Sequence, residues 1–319
     1  MRAFIRFLCN KRKKILLGTL AFVPAFIFLV AAWAYWIEPN RLTRTYLKYP
    51  IPEWNGTDNR IRLAVAGDFH VRKGESKRLN RIVNAIREQS PDIVILVGDF
   101  AFASSDPQEN TLDLALMSQI FRKLRNGGKT PVFACLGNHD YAYGAAKIRK
   151  MLEDADITLL EPGTAQLHFG ENCDVFLGGV LNTSTREVDP KTIPFPPPDF
   201  YGASLFVIHS PDLVLDLPRE AGYALTLAGH THGGQICLPG RIPFVPHASR
   251  IGDEYAHGMF EEDGKDIFVT RGVGESRLRM RLFCPPEIVV IDLVPTEALP
   301  RAQWRNRAGN PKKIEAKNK

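Results

Sequence analysis

Cysteine is scarce in this chain: five residues in 319, at positions 9, 135, 173, 237 and 284. That count excludes a disulfide-stapled scaffold, and without a CxxC spacing nothing points to a zinc ribbon or a redox pair. Internal repeats and low-complexity arrays are missing as well. So is charge of one sign: 41 Lys and Arg stand against 35 Asp and Glu in a chain that is 45% hydrophobic. That balance excludes global disorder. The length admits one large domain or two small ones around a real core.

The formal net charge of +6 invites a nucleic-acid reading, but its location removes the invitation. Arg2, Arg6, Lys11, Arg12, Lys13 and Lys14 make residues 1–14 a basic N-terminal segment. Residues 301–319 carry seven cations against Glu315. Each end alone accounts for the whole excess, so the body between them is net acidic and no nucleic-acid partner is expected. The tail 301–319 is polar and aperiodic and reads as disordered, with anionic lipid heads as a conceivable resting place.

Residues 15–37 carry no charge and are rich in Leu, Phe, Ala and Val. They are long enough to cross a bilayer as a tilted transmembrane helix. Pro24 lies inside the span, and Trp33, Tyr35 and Trp36 cluster at its far end, where amphipathic rings favour the interface. Ala32-Trp33-Ala34 resembles a signal-peptidase site, yet the apolar stretch outruns a usual signal core. The expectation is an uncleaved single-pass anchor in the cell (inner) membrane. Six cations precede the span, while Arg41, Arg44 and Lys48 follow it, offset by Glu38. That asymmetry predicts a cytoplasmic N-terminus and a body on the outer side.

Residues 38–60, with Pro39, Pro50, Pro52 and Gly56, read as an extended linker. From residue 61 to about 300 the pattern is that of one α/β domain. Apolar runs at 61–66, 92–97 and 131–136 each end in Gly-Asp or Gly-Asn, and helical segments follow at 76–89, 108–125 and 145–154. Short β-rich runs alternating with helices indicate buried strands. The second half is richer in strands, expected at 165–169, 174–179, 204–209, 224–228, 258–260, 267–270 and 288–293. Two packed sheets with helices outside is the simplest architecture.

Chemistry-bearing residues stand where these strands end. Asp68, Asp99 and Asn138 each follow a glycine that closes an apolar run. His209 closes another run, and Gly229-His230-Thr231-His232-Gly233-Gly234 closes a fifth. In α/β sheets the carboxyl ends of strands converge on one crevice, so these residues are candidates for one site. Each block alone has a plainer reading: turn residues at Asp68 and Asp99, a helix cap at Asn138, a satisfied core histidine at His209. Five such blocks in order are harder to dismiss. Two Asp, one Asn and several His, without Cys, suit hard-to-borderline divalent ions such as Mn, Fe or Zn.

The set Asp68-Phe69-His70, Gly98-Asp99, Gly137-Asn138-His139-Asp140, His209 and His230-Thr231-His232 resembles the calcineurin-like metallophosphoesterases. The resemblance covers about residues 60–294 and continues through Gln235, Arg271-Gly272-Val273-Gly274 and Cys284-Pro285-Pro286-Glu287-Ile288. With the leading span, it is similar to the membrane-associated YkuE/YaeI-type phosphodiesterase subgroup, which includes a UDP-2,3-diacylglucosamine pyrophosphatase of the lipid A pathway. The resemblance implies a four-layer αββα sandwich. It implies a first ion on Asp68, His70 and His232 and a second on Asn138, His209 and His230, with the Asp99 carboxylate bridging. His139 would be a non-ligand histidine that protonates the leaving oxygen, with Asp140 as its orienting carboxylate. Region 182–203 does not follow the family closely, and substrate contacts do not transfer there.

Phosphoester anions repel nucleophiles. Two divalent ions would clamp the phosphate oxygens and acidify a bridging water, whose hydroxide attacks phosphorus without a covalent enzyme intermediate. His139, with an ordinary pKa of about 6.5, would supply the proton for the leaving alkoxide. The expected partner is a phosphoester substrate, lipid-linked or from the envelope. Phe195, Phe200 and Phe244 in Pro-rich loops could shape an acyl-chain entrance. The outer orientation conflicts with a nucleotide-linked lipid met in the cytoplasm.

Overall fold

The computed structural model describes residues 22–52, 54, 60–105, 111–170, 173–181, 192–244 and 250–296. The basic segment 1–14, residues 15–21 of the expected span and the tail 301–319 lie outside the described residues. An apolar helix, α1 (Phe22–Asn40), is the one helix among the described residues long and apolar enough to cross a membrane. It ends in a π-helical turn, Trp33–Ile37, and a 3₁₀ turn, Glu38–Asn40. Most of its side chains are exposed, but Ala34 and Glu38 are buried.

The stretch expected as a linker contains β1 (Thr43–Ile51). From Thr43 to Lys48 its side chains alternate between half-buried and exposed, the period of a strand with one covered face. Prolines favour a linker on composition. Here Pro50 is tolerated because β1 is the edge of its sheet, where a missing N–H can leave no ladder bond unmade.

β2 (Ile61–Ala66), β3 (Ile93–Val97) and β4 (Val132–Cys135) form at the expected apolar runs, and α2 (Ser76–Arg87), α3 (Leu114–Arg122) and α4 (Asn138–Asp154) follow them in turn. α4 starts well before the expected position. Gly144, at φ +127, breaks its helical geometry and hides the first turns from the periodicity. The two-residue β5 (Thr158–Leu159) has no sequence signal. Then come β6 (Gly163–His168), β7 (Asp174–Gly179), β8 (Ala203–Val207), β9 (Leu225–Ala228), the hairpin β10 (Cys237–Leu238) and β11 (Ile242–Pro243), β12 (Gly258–Glu262), β13 (Lys265–Val269) and β14 (Glu287–Pro295).

Two six-stranded sheets result, ordered β1-β14-β2-β3-β4-β5 and β12-β13-β9-β8-β7-β6. β2 to β5 are mutually parallel, as are β7, β8, β9 and β13. Strand alternation sorts the core into layers. Leu63, Val65, Ile93 and Ile95 of the first sheet meet Val175, Leu205, Leu227 and Phe268 of the second. On the other face, Ala64, Val94, Leu96 and Ala134 pack against Ile82, Phe121 and Leu152 of the three helices. The outer face of the second sheet is covered by Leu213, Val214 and Tyr255, which lie in 3₁₀ turns. The αββα layering is therefore unequal among the described residues, with true helices on one side only.

Of the three phenylalanines expected at an acyl entrance, Phe200 instead packs on Phe176 of β7, ring centroids 5.8 Å apart. Phe244 follows the β10–β11 hairpin and is 65% exposed.

Candidate metal centre

Asp68 and His70 follow β2, Asp99 follows β3, and Asn138 opens α4 just after β4. His209 follows β8, and His230 and His232 follow β9. All seven come together between the carboxyl ends of the two sheets. Three donor groups have ligand atoms within 4.8 Å of one another: Asp68, His70 and His232; Asp99, His209 and His230; and His70, Asp99 and His139.

The His70 Nε2 and His232 Nε2 atoms approach to 2.9 Å, and His232 Nε2 lies 3.8 Å from Asp68 Oδ1. In the second group, His209 Nε2 stands 3.1 Å from His230 Nδ1 and 3.2 Å from Asn138 Oδ1. Asp99 Oδ2 joins the groups, 3.4 Å from His70 Nε2 and 3.3 Å from His209 Nε2. Donors about 2.1 Å from a shared ion stand roughly 3–3.5 Å from one another, so these spacings fit divalent coordination.

The backbone is shaped for this convergence. Asp68, His70, Asp99, His230 and His232 all have positive φ, between 41° and 72°. Such left-handed conformations are uncommon outside glycine and cluster at functional sites. Gly98, at φ +86, brings two strand ends together: a Cβ there would lie 2.7 Å from Gly137 N and 2.8 Å from His209 Nδ1. His209 Nδ1–H donates to Val97 O at 2.7 Å, which aims its Nε2 at the shared carboxylate.

Electrostatics alone leave the cluster unsettled. Burial pushes the Asp68 carboxyl up to about 7, although His209 opposes it. Burial also works against the Asp99 charge, but His209 and His70 hold that carboxyl below the ordinary range. His209 in turn is pulled down by burial and carried up to about 10 by Asp99. His70 and His232 are driven well below the ordinary value, first by burial, and each keeps a buried Nδ1 without a hydrogen-bond partner among the described residues. Two neutral imidazole nitrogens 2.9 Å apart share at most one proton. A divalent cation satisfies these lone pairs and both carboxylates together.

His139 lies beside the cluster, its ring centroid 4.5 Å from His70 and 5.4 Å from the stacked Phe102. Its Nδ1 accepts from Ala103 N–H at 3.4 Å, and burial lowers its pKa from 6.5. Asp140 does not touch that ring, contrary to its expected orienting role. Its Oδ1 accepts from the amides of Phe100 (2.8 Å) and Ala101 (3.1 Å), and its Oδ2 from Gly137 N–H (2.9 Å). The first turn of α4 points this carboxylate back beneath the Asp99 loop.

Several supporting residues lie outside the five blocks, Gly272 and Cys284 among them in the later segments of the resemblance. Gly272, at φ +69, lies so close that a Cβ would be 2.6 Å from the Asp68 Cβ. Arg281 is fully buried and donates to the carbonyls of His232 (3.4 Å), Arg271 (2.8 Å), Gly274 (3.0 Å) and Cys284 (3.0 Å). Cys237 and Cys284, far apart in sequence, converge on the same turn, with Sγ atoms 3.2 Å and 3.3 Å from Gly233 O. Arg72 lies over the Phe102 ring at 3.8 Å.

The sequence model of the calcineurin-like phosphoesterase family matches residues 61–234, more than half of the chain. Over 212 residues the chain is 32% identical to the phosphodiesterase YaeI of Escherichia coli, covering 65% of this chain and 72% of that one. It is 27% identical to the metallophosphoesterase YkuE of Bacillus subtilis, covering 68% of this chain and 73% of that one. The UDP-2,3-diacylglucosamine pyrophosphatase LpxG of Chlamydia muridarum is 25% identical, over 81% of this chain and 91% of its own. A strand-end cluster of Asp, Asn and His and these relatives lead to one conclusion: the chain belongs to the calcineurin-like metallophosphoesterases, metal-dependent hydrolases of phosphoesters, in the group that includes YkuE, YaeI and LpxG.

Proposed function

We propose that the protein is a membrane-anchored, dinuclear phosphodiesterase or pyrophosphatase whose substrate is lipid-linked, of the UDP-2,3-diacylglucosamine class. The observation that carries the dinuclear reading is Asp99 Oδ2, placed 3.4 Å from an imidazole of one donor group and 3.3 Å from an imidazole of the other. Asp68, His70 and His232 would hold one ion, Asn138, His209 and His230 the other, and Asp99 both. Bound there, two divalent ions of Mn, Fe or Zn type would neutralise phosphate charge and acidify a water.

The remaining work belongs to the side chains around them. His139 accepts from Ala103 at Nδ1, so the neutral ring carries its proton on Nε2, from which it can donate a hydrogen bond to the phosphate or to a departing oxygen and stabilise the charge that develops there. Burial keeps that ring neutral near pH 7. Asp140 holds the amides behind Asp99 and beside Asn138, fixing the positions of two donors.

The packing of α1 supports an uncleaved anchor. Arg281 N–H donates to Ala34 O at 2.9 Å, and buried Glu38 accepts from Trp33 Nε1 (2.7 Å) and Arg41 (2.9 Å). A cut after Ala34 would sever α1 within the turn that the body grips. The test compares hydrolysis of UDP-2,3-diacylglucosamine with that of bis-p-nitrophenyl phosphate by the Mn-loaded full chain. A kcat/KM at least about a hundredfold higher for the lipid supports the reading. Turnover of the small diester alone refutes the lipid-linked substrate. A C-terminal reporter fusion reads which side of the membrane holds the body: the inner side is required for a nucleotide-linked lipid, whereas the outer side, which the charge asymmetry predicts, would replace it with an envelope phospholipid or polyisoprenyl phosphate.

A further inference from the structure

One stretch of chain, residues 276–283, ties α1 to the turn that carries His232. Gln235, just beyond that turn, accepts from Ser276 N–H (2.8 Å) and donates from Nε2 to Leu278 O (2.8 Å), while its carbonyl accepts from Leu282 N–H (3.0 Å). Arg281 N–H reaches Ala34 O in α1, and its buried guanidinium reaches His232 O. The helix and the donor turn are therefore parts of one hydrogen-bonded unit.

The outward side of this unit is apolar. Leu278 and Phe283 are 55% and 47% exposed. The adjoining hairpin adds Leu238, Ile242 and Phe244 at 47%, 60% and 65%. The hairpin is joined to the stretch by Cys237 N–H to Leu282 O at 2.9 Å. Arg241 and Arg277 are exposed here and make no ion pair among the described residues. Depth is set by α1. Ala34 lies among the exposed rings of Trp33, Tyr35 and Trp36, the side chains that mark a membrane–water boundary. Chain bonded to Ala34 shares that boundary.

We infer that residues 277–283 and the β10–β11 hairpin form a surface that seats in the interfacial zone of an anionic bilayer, the same membrane that holds α1. Exposed apolar side chains bracketed by unpaired arginines match acyl–headgroup boundaries carrying negative lipids. The donor cluster, one turn from the hairpin, then opens onto lipid headgroups, and a phosphoester enters from the bilayer without leaving it. This inference rests on α1 being a membrane anchor and deepens the lipid-linked reading.

The experiment uses the full chain in vesicles of phosphatidylcholine and phosphatidylglycerol, with Cys9→Ser and the four other cysteines buried and native. Nitroxide labels are attached at Leu278→Cys, at Phe244→Cys and, as control, at Tyr201→Cys, which precedes β8 at the end remote from the donor cluster. Collisions with oxygen should dominate at 278 and 244, and collisions with a water-soluble nickel chelate at 201. Chelate access at 278 and 244 equal to that at 201 overturns the inference. So does spin–spin broadening at 244 in detergent, which would mean that a second copy covers the face. In a second arm, Leu238→Asp with Phe244→Asp should reduce turnover of vesicle-borne UDP-2,3-diacylglucosamine about tenfold and keep bis-p-nitrophenyl phosphate turnover within about twofold. Equal loss on both substrates overturns it too. If the wild type hydrolyses neither substrate, the phosphodiesterase reading fails while the collision data still decide the surface.

Discussion

Replacing Asp140 by Asn separates two roles for a residue that sits next to His139 in sequence. In the fold its two oxygens accept three backbone amides, at 2.8, 3.1 and 2.9 Å, in a fully buried position. An asparagine keeps one acceptor oxygen. Its NH₂ group must then face at least one of those N–H donors, with no water to intervene. An unsatisfied buried donor costs about 1–3 kcal/mol, and the lost charge-assisted bonding adds about 1.5–3 kcal/mol. Relief acts in the other direction, because burial and then the Asp99 charge push the Asp140 carboxyl up to about 8. The net expectation is a loss of about 2–4 kcal/mol, with weakened metal loading because the Asp99 and Asn138 backbones lose their tether. Urea unfolding of the metal-free full chain reads the first quantity, and metal analysis after equilibration reads the second. Because Asp140 accepts only backbone amides away from the His139 ring, any limb of the pH–rate profile that His139 sets should stay in place. Unchanged stability and metal content with a shifted limb would refute this account and restore Asp140 as the orienting partner of the His139 ring.

Asp99→Ala should abolish loading of both ions and nearly all hydrolysis; two ions still bound in metal analysis would contradict a shared carboxylate. His139→Ala should retain both ions and lose about 10²–10⁴-fold in kcat, and a loss of metal instead would make His139 a ligand, as its proximity to His70 and Asp99 permits. Gly137→Ala places a Cβ 2.7 Å from Asp99 N and should yield a folded but metal-poor protein, read by circular dichroism beside metal analysis. His257, outside the donor set, gives a further pH test: burial, then Arg271, lowers it to about 4 from 6.5. Between those values the unfolded chain binds a proton that the folded chain refuses, so stability falls as pH drops from 6.5 to about 4. His257→Gln should flatten that slope, by up to about 3 kcal/mol, in denaturation midpoints followed against pH.

The convergence of the candidate donors was legible because each follows a short apolar strand, and strand ends in parallel sheets converge whatever lies between them. Local pattern also placed β2, β3 and β4, whose side chains are buried on both faces and so read as unbroken apolar runs. What escaped was what depends on distant partners. β1 looks like linker until β14 lies beside it, and β5 is too short for any periodicity. Asp140 follows His139 in sequence, yet the helical turn sends their side chains different ways, so adjacency misled about contact. Cys237 and Arg281 meet Cys284 around His232 only through the return of the chain after β13; the Cys284 segment is part of the resemblance, but nothing in the spacing of the three announces their contact.

The pairing of β1 with β14 also sets a timetable. Thr43 Oγ1 donates to Pro286 O, 243 residues later. At about 5–20 residues per second on the ribosome, roughly 10–50 s separate the emergence of the first strand from that of its partner. During that interval the nascent chain has one edge of its main sheet unmatched, with Tyr49 and Ile51 uncovered. β14 lies between β1 and β2, so both strands wait for it, and the first sheet closes only once residues 287–295 have been made. A chain stalled before residue 287 would be left with that sheet unfinished, a natural client for holdase chaperones.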